Sequence, residues 1–189
     1  MPGVSRFRDG MEGGSARGAM DPPGCAIRSG EVSHNVIAFD VPTALQYAAE
    51  GRLEEWIHAY LTSGHWANPA LSKGLQRERR WWNGPLELPL GYLSRCVGPE
   101  PGMEYPEEPA HWARRTARMA AGFGEALAIP PLIAEYRGGE LSVRDGNTRH
   151  EAIRVRGWTT CWVVIWYNSQ TDYSRHTDVL AQGGWLAPA

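Results

Sequence analysis

The sequence predicts an α+β fold: a small mixed sheet with helices packed around it and a helical N-terminal extension. Three observations carry that expectation. Leu53, Trp56, Ile57 and Tyr60 recur at i, i+3, i+4, i+7, the spacing of one buried helical face. Residues 132–144 read as two short strands about a Gly138-Gly139 turn. Residues 145–167 pass from Asp145-Gly146 through a helical stretch to Gly157, then into a run of β-branched and aromatic residues that suits a strand.

Residues 1–33 are rich in Gly, Ser, Arg and Asp without any period, and are expected to form a disordered arm. Order is expected from Asn35 to Asp40, a short apolar run that suits a strand. Asp40 then caps a helix carrying Ala44, Leu45 and Ala48, interrupted at Gly51 and resumed through Tyr60. A further helix is expected over residues 71–80, ending in Arg77, Arg79 and Arg80 with Trp81 and Trp82. Prolines at 85, 89, 99, 101, 106 and 109 mark residues 84–109 as turn-rich. Residues 34–104 therefore read as the helical N-terminal part of the domain, and residues 105–189 as its core. Glu107, Glu108 and Pro109 open a helix, acid at the positive end of the dipole and Pro in the first turn. It is expected to run to Leu127 with Trp112, Thr116, Met119, Ala120 and Phe123 on one face. The residues after Tyr167 show no clear period.

Composition narrows the function classes. A net charge of -2 gives no global field toward nucleic acid or an acidic membrane, so any such binding needs a local patch. The basic residues are mostly Arg, which suits bidentate phosphate recognition. Cys25, Cys96 and Cys161 are odd in number and dispersed, which argues against a disulfide framework and against zinc. No run approaches the roughly 20 apolar residues that span a bilayer, and the N-terminus lacks the apolar core of a secretory signal. A cytoplasmic protein is expected, peripheral at the inner membrane if a partner recruits it. Nine tryptophans are enough to fill a core or furnish an interface.

The chemistry is concentrated where a strand feeds directly into a helix, at Asp145, Gly146, Asn147, Thr148, Arg149, His150 and Glu151. The first N–H groups of such a helix are unpaired and, with its dipole, make an anion site. Gly146 lets the backbone approach a phosphate oxygen, Arg149 can clamp two oxygens, and His150 is a donor or proton carrier. Asp145 and Glu151 are carboxylates able to hold a divalent ion such as Mg²⁺, with Asn147 and Thr148 as neutral ligands. The same residues also make an ordinary turn and cap with Arg149 and Glu151 solvated.

Pro131, the hairpin, the run from Val143 through Arg149 to Ala152, and Gly157 together resemble the ParB/sulfiredoxin superfamily. That resemblance implies a nucleotide (ATP, ADP or CTP) bound at the Gly146–His150 box. It also implies a range of activities: partition nucleotidases, kinases of free serine, nucleases and sulfinic acid reductases. Sulfiredoxins place their nucleophilic Cys two residues before the Arg. Asn147 stands there in this chain, which argues against sulfinic acid reduction. Partition proteins carry an acid at that position and a helix-turn-helix domain downstream, for which the residues after Tyr167 are too few. The length and the Trp- and Arg-rich N-terminal half are similar to plasmid fertility-inhibition proteins of the oncogenic-suppression type. That likeness implies an ATPase and DNase using ATP and Mg²⁺, acting on DNA at a type IV secretion machine. The alternatives are a non-catalytic protein that blocks a secretion or conjugation ATPase, and a serine-type small-molecule kinase.

Arg77, Arg79, Arg80, Trp81 and Trp82 form a second candidate, a basic–aromatic patch of the kind that grips a nucleic-acid backbone and stacks bases. A solvated helix end with both Trp rings folded inward fits the same residues. Arg114, Arg115 and Arg118 add positive charge on one turn of the preceding helix, facing either the Arg149 groove or water.

Overall fold

The structure, a computed structural model, describes residues 37–63 and 66–183. The expected arm at residues 1–33 and the segment 184–189 lie outside the described residues. A five-stranded mixed sheet is ordered β1-β7-β5-β6-β2, from β1 (Trp81–Pro89), β2 (Leu93–Arg95), β5 (Leu132–Arg137), β6 (Glu140–Asp145) and β7 (Thr160–Tyr167). A separate parallel pair joins β3 (Val97–Gly98) to β4 (Tyr105–Pro106). The α+β expectation therefore holds among the described residues.

The helices form two layers. α1 (Val41–Ala49), α2 (Leu53–Thr62) and α3 (Pro69–Leu75) cover one face, where Trp56, Ile57 and Leu61 meet Ile133, Val164 and Trp166. On the other face, Ile153 of α5 (Asn147–Val155) and Tyr173 of α6 (Gln170–Ala181) pack over Leu132, Val143, Val163 and Tyr167. α4 (Pro109–Gly122) lies against α5. Strand β7 runs between β1 and β5 with both faces covered, which explains its nearly continuous apolar sequence. Each such fully buried aliphatic side chain contributes roughly 1.5–3 kcal/mol of transfer free energy.

Several expectations hold. Asp40 caps α1, its carboxylate accepting from Thr43 N at 2.8 Å. Leu53, Trp56, Ile57 and Tyr60 are the buried face of α2. Trp112, Thr116 and Ala120 are the buried face of α4, although that helix ends at Gly122 and not at Leu127.

Other expectations are corrected. The strand expected at Asn35 to Asp40 is not formed by its described residues. Phe39 instead packs edge-on against the Trp56 and Tyr60 rings, at 5.8 and 5.5 Å. The helix expected over residues 71–80 stops at Leu75, and Trp81 opens a strand. The prolines of residues 84–109 did not read as strand residues, yet β1 carries Pro85 and Pro89. It tolerates them because it is an edge strand with an irregularity between Asn83 and Leu86. Gly84 sits in that irregularity, where a Cβ would lie 2.7 Å from the Val163 carbonyl oxygen. Residues 34–104 are thus not simply helical, since they give the sheet two of its strands.

Helix α6 was not legible because its residues are largely polar. It is anchored by one of them. His176 is fully buried, stacked at 4.2 Å on the Tyr136 ring, with Nδ1 2.8 Å from the Tyr167 hydroxyl and Nε2 3.4 Å from that of Tyr92. Burial disfavours the imidazolium and lowers its pKa from 6.5 to about 4. Between those values the unfolded chain binds the proton and the folded one does not, so stability is lost as pH falls from about 6.5 to about 4. The expected loss from this group is on the order of 2–3 kcal/mol. In urea unfolding at pH 7 and pH 4.5, His176→Phe should show a smaller acid loss than the wild type; an equal loss would contradict the assignment.

Candidate functional site

The box is built at the end of β6. Val143 and Asp145 are buried along β6, and Gly146 turns the chain with φ +94° so that α5 starts at once. The first intrahelical bond runs from His150 N to Gly146 O at 2.8 Å. The N–H groups of Asn147, Thr148 and Arg149 therefore precede the helical ladder, at the positive end of the dipole.

Arg149 is the centre of this arrangement and is only 3% exposed. Its Nη2 donates to Asp145 Oδ2 at 2.7 Å and its Nη1 to the Pro130 carbonyl at 3.1 Å. The guanidinium carbon lies 5.3 Å from the Tyr60 ring and 5.8 Å from the Trp66 ring. Asp145 is a hub: it also accepts from Tyr60 OH at 3.3 Å and from Asn68 Nδ2 at 3.4 Å. Burial pushes the Tyr60 hydroxyl up to about 12, so it stays protonated and donates. The α2–α3 layer is in this way tied to the box.

A cleft of about 310 Å³ opens here, with Tyr60, Trp66, Asn68, Arg144, Thr148 and Arg149 among its lining residues. Arg144 is paired, with Glu135 at 3.0 Å and with Glu104. An anion entering this cleft would meet the start of α5 and the Arg149 guanidinium.

The structure does not bring all the expected site residues together. Asn147 does not point a ligand atom into the cleft. Its Oδ1 accepts from Cys96 N and Val97 N at 3.0 and 3.2 Å, and its Nδ2 donates to the Val143 carbonyl at 3.0 Å. It pins the chain before β3 to the box. His150 and Glu151 lie about 100° and 200° round the helix from Arg149. They line a different cleft, with Arg95, Glu100 and Arg154. His150 Nε2 faces the Leu90 carbonyl at 3.2 Å, and burial lowers its pKa, so it offers neutral imidazole and not a cation. Glu151 is held by Arg154 at 3.0 and 2.6 Å, which keeps its carboxyl below the usual range.

A divalent ion shared by Asp145 and Glu151 does not fit this geometry. The two carboxylates line separate clefts and their oxygens already accept from Arg149, Tyr60, Asn68 and Arg154. Among the described residues no group of three or more His, Cys, Asp or Glu is placed to hold a metal. Glu107 and Glu108 are structural: Glu107 pairs with Arg115 at 3.1 Å, and Glu108 caps α4 through Ala110 N and His111 N.

The patch at residues 77–82 also comes apart. Trp81 packs with the cluster on one face of the sheet and Trp82 with the cluster on the other, as strand alternation requires. Arg80 bonds Asn168, and Arg79 stacks on Trp81 at 5.1 Å. The two indoles therefore cannot form one stacking platform. Sequence reasoning missed Tyr60, Trp66 and Asn68. Their place at the box depends on tertiary packing of α2 and α3, which no local spacing announces. A Ser72–His58–Glu54 chain also exists, at 2.8 and 3.8 Å, but Ser72 is 2% exposed inside α3 and away from the clefts described, so it is structural.

No family model matches the chain, and no curated protein matches it. Two solved structures are similar in part. Sulfiredoxin from Arabidopsis thaliana matches with 20% identity and a TM-score of 0.33, over 49% of this chain and 94% of that one. The C-terminally truncated chromosome-partitioning protein ParB from Caulobacter crescentus, complexed with CTP-gamma-S, matches with 14% identity and a TM-score of 0.34. That match covers 57% of this chain and 56% of the ParB chain. The chain is thus similar to ParB and sulfiredoxin structures over about half its length, and its chemistry rests on the residues of its own site.

Proposed function

We propose that the cleft at the start of α5 binds the phosphates of a nucleoside triphosphate, ATP in the first instance, and hydrolyses it. We place this activity in a plasmid fertility-inhibition factor that engages DNA at a type IV secretion system. The observation that carries the nucleotide reading is Arg149, a buried guanidinium fixed at 2.7 Å by Asp145 on the wall of an open cleft at a helix start. Arg149 and the N–H groups of Asn147, Thr148 and Arg149 would hold phosphate oxygens and offset charge developing on the transferred group. Asp145 would hold Arg149 in place and not touch the ligand. Gly146–Arg149 remain the proposed nucleotide-binding segment; His150 would support α5 from behind. The link to conjugation and to secretion-machine proteins rests on the resemblance of the sequence alone.

The paired carboxylates Asp145 and Glu151 build no shared Mg²⁺ site in this arrangement. Metal-dependent DNA cleavage loses its proposed carboxylate pair for the same reason. One observation favours the second reading, a non-catalytic protein that blocks a secretion or conjugation ATPase. Every carboxylate of the box is already paired, so none is free to act as a base.

The test is to incubate wild type and Arg149→Lys with ATP, Mg²⁺ and a plasmid, following phosphate release and DNA integrity together. Lys keeps the charge that Asp145 needs but lacks the planar fork. Phosphate release by the wild type, reduced about 100-fold or more in the variant, is expected for loss of a group that stabilises transition-state charge. A wild type that releases no phosphate, or a variant equal to it, would leave the blocking reading. A serine-phosphorylation arm in the same assay separates the kinase reading from both.

A further inference from the structure

A second groove continues from the phosphate cleft. It encloses about 500 Å³ and is walled by Trp66, Arg115, Arg118, Met119, Phe123 and Thr148. Trp66, Met119 and Thr148 line both spaces, so the two open into one path along the α4 side of α5. Among the described residues the wall carries two arginines and no acid. Arg115 is committed, paired with Glu107 at 3.1 Å and lying 5.0 Å over the Trp112 ring. Arg118 is exposed, with no ion pair among the described residues. Trp66 is 43% exposed, a large indole at the junction of cleft and groove.

We infer that this groove takes a single-stranded nucleic acid, with an unpaired base stacked on Trp66 and a backbone phosphate at Arg118. This rests on the reading of the neighbouring cleft as a phosphate site, and it replaces the patch at residues 77–82 as the nucleic-acid surface. Charge and shape agree on the occupant. Exposed aromatic rings beside arginines grip unpaired bases, whose faces are free, whereas a duplex hides those faces in its own stack. The first cleft alone accommodates the phosphates of a nucleotide, and the groove extends the same lining past it. The patch at residues 77–82 offers no such platform, because its two indoles are split across the sheet.

The experiment titrates the full chain with a fluorescent ten-residue oligo-dT, a ten-base-pair duplex and, separately, ATP. The expected result is tighter binding of oligo-dT than of duplex. Trp66→Ala should weaken oligo-dT about tenfold, as expected for loss of one base stack, and Trp66→Phe should restore most of it. Arg118→Ala should lower the slope of log affinity against log salt by about 0.7, one single-strand phosphate, while leaving ATP affinity within about twofold of the wild type. Arg79→Ala should leave oligo-dT binding unchanged. Equal or tighter binding of duplex, or oligo-dT binding indifferent to both Trp66→Ala and Arg118→Ala, would overturn the inference. A wild type that binds ATP and not oligo-dT overturns the groove alone. One that binds oligo-dT and not ATP overturns the nucleotide reading and leaves the groove standing.

Discussion

Asp145→Ala is expected to lower the free energy of unfolding by about 3–5 kcal/mol, the cost of leaving a buried charge without its partner. Arg149 is 3% exposed, and its guanidinium meets one carboxylate, at 2.7 Å, and one carbonyl, at 3.1 Å. Removing the carboxylate also frees the donors of Tyr60 and Asn68, which tie α2 and the start of α3 to the end of β6. The loss should therefore appear as a lower urea midpoint and as faster hydrogen exchange in α2 and α3. Asp145→Asn keeps an acceptor for Tyr60 and Arg149 and should cost less. A loss below about 1 kcal/mol for the alanine variant, the range of an exposed ion pair, would mean that Arg149 is solvated and not held.

Gly146→Ala is expected to damage stability and ligand binding together. The backbone there has φ +94°, a conformation that costs an L-residue roughly 1–2 kcal/mol. A Cβ would also stand 2.7 Å from Arg149 Nη2 and 2.7 Å from Leu132 Cδ2. Both contacts are shorter than a Cβ tolerates, so the Leu132 side chain and the Arg149 guanidinium must both give way. Displacing Arg149 takes the guanidinium out of the cleft, and ATP affinity should fall by about tenfold or more, as for loss of a charged hydrogen bond. Isothermal titration beside thermal unfolding separates the two effects. A variant that is less stable but binds ATP like the wild type would remove Arg149 from the site.

How much of this was legible in the sequence depends on the range over which each residue acts. The hairpin about Gly138-Gly139, the box at Asp145-Gly146 and the face Leu53–Tyr60 are local patterns, and each element forms where its spacing places it. Trp81-Trp82 misled because the adjoining arginines extend a helical pattern, while the choice of strand is made by pairing with Trp166 and Tyr167 on a distant segment. The edge position that excuses Pro85 and Pro89 is likewise a property of the whole sheet. At the box, spacing singled out Arg149, Asp145 and Gly146, which do meet at one point. It grouped Glu151 and His150 with them because they are neighbours in the chain. A helix turns about 100° per residue, which carries both side chains away from Arg149, and they line a different cleft. Tyr60, Asn68 and Trp66 carry no signature of their own, since what they do follows from α2 and α3 lying over the box.

The most direct measurement is a titration of the wild type and Arg149→Lys with ATP, followed by intrinsic tryptophan fluorescence, since Trp66 lies 5.8 Å from the Arg149 guanidinium. A saturable change in the wild type, weakened by about tenfold or more in the variant while its unfolding midpoint stays close to the wild type's, is the predicted result. No saturable change in the wild type, or equal affinities for the two proteins, would contradict a phosphate site at the start of α5.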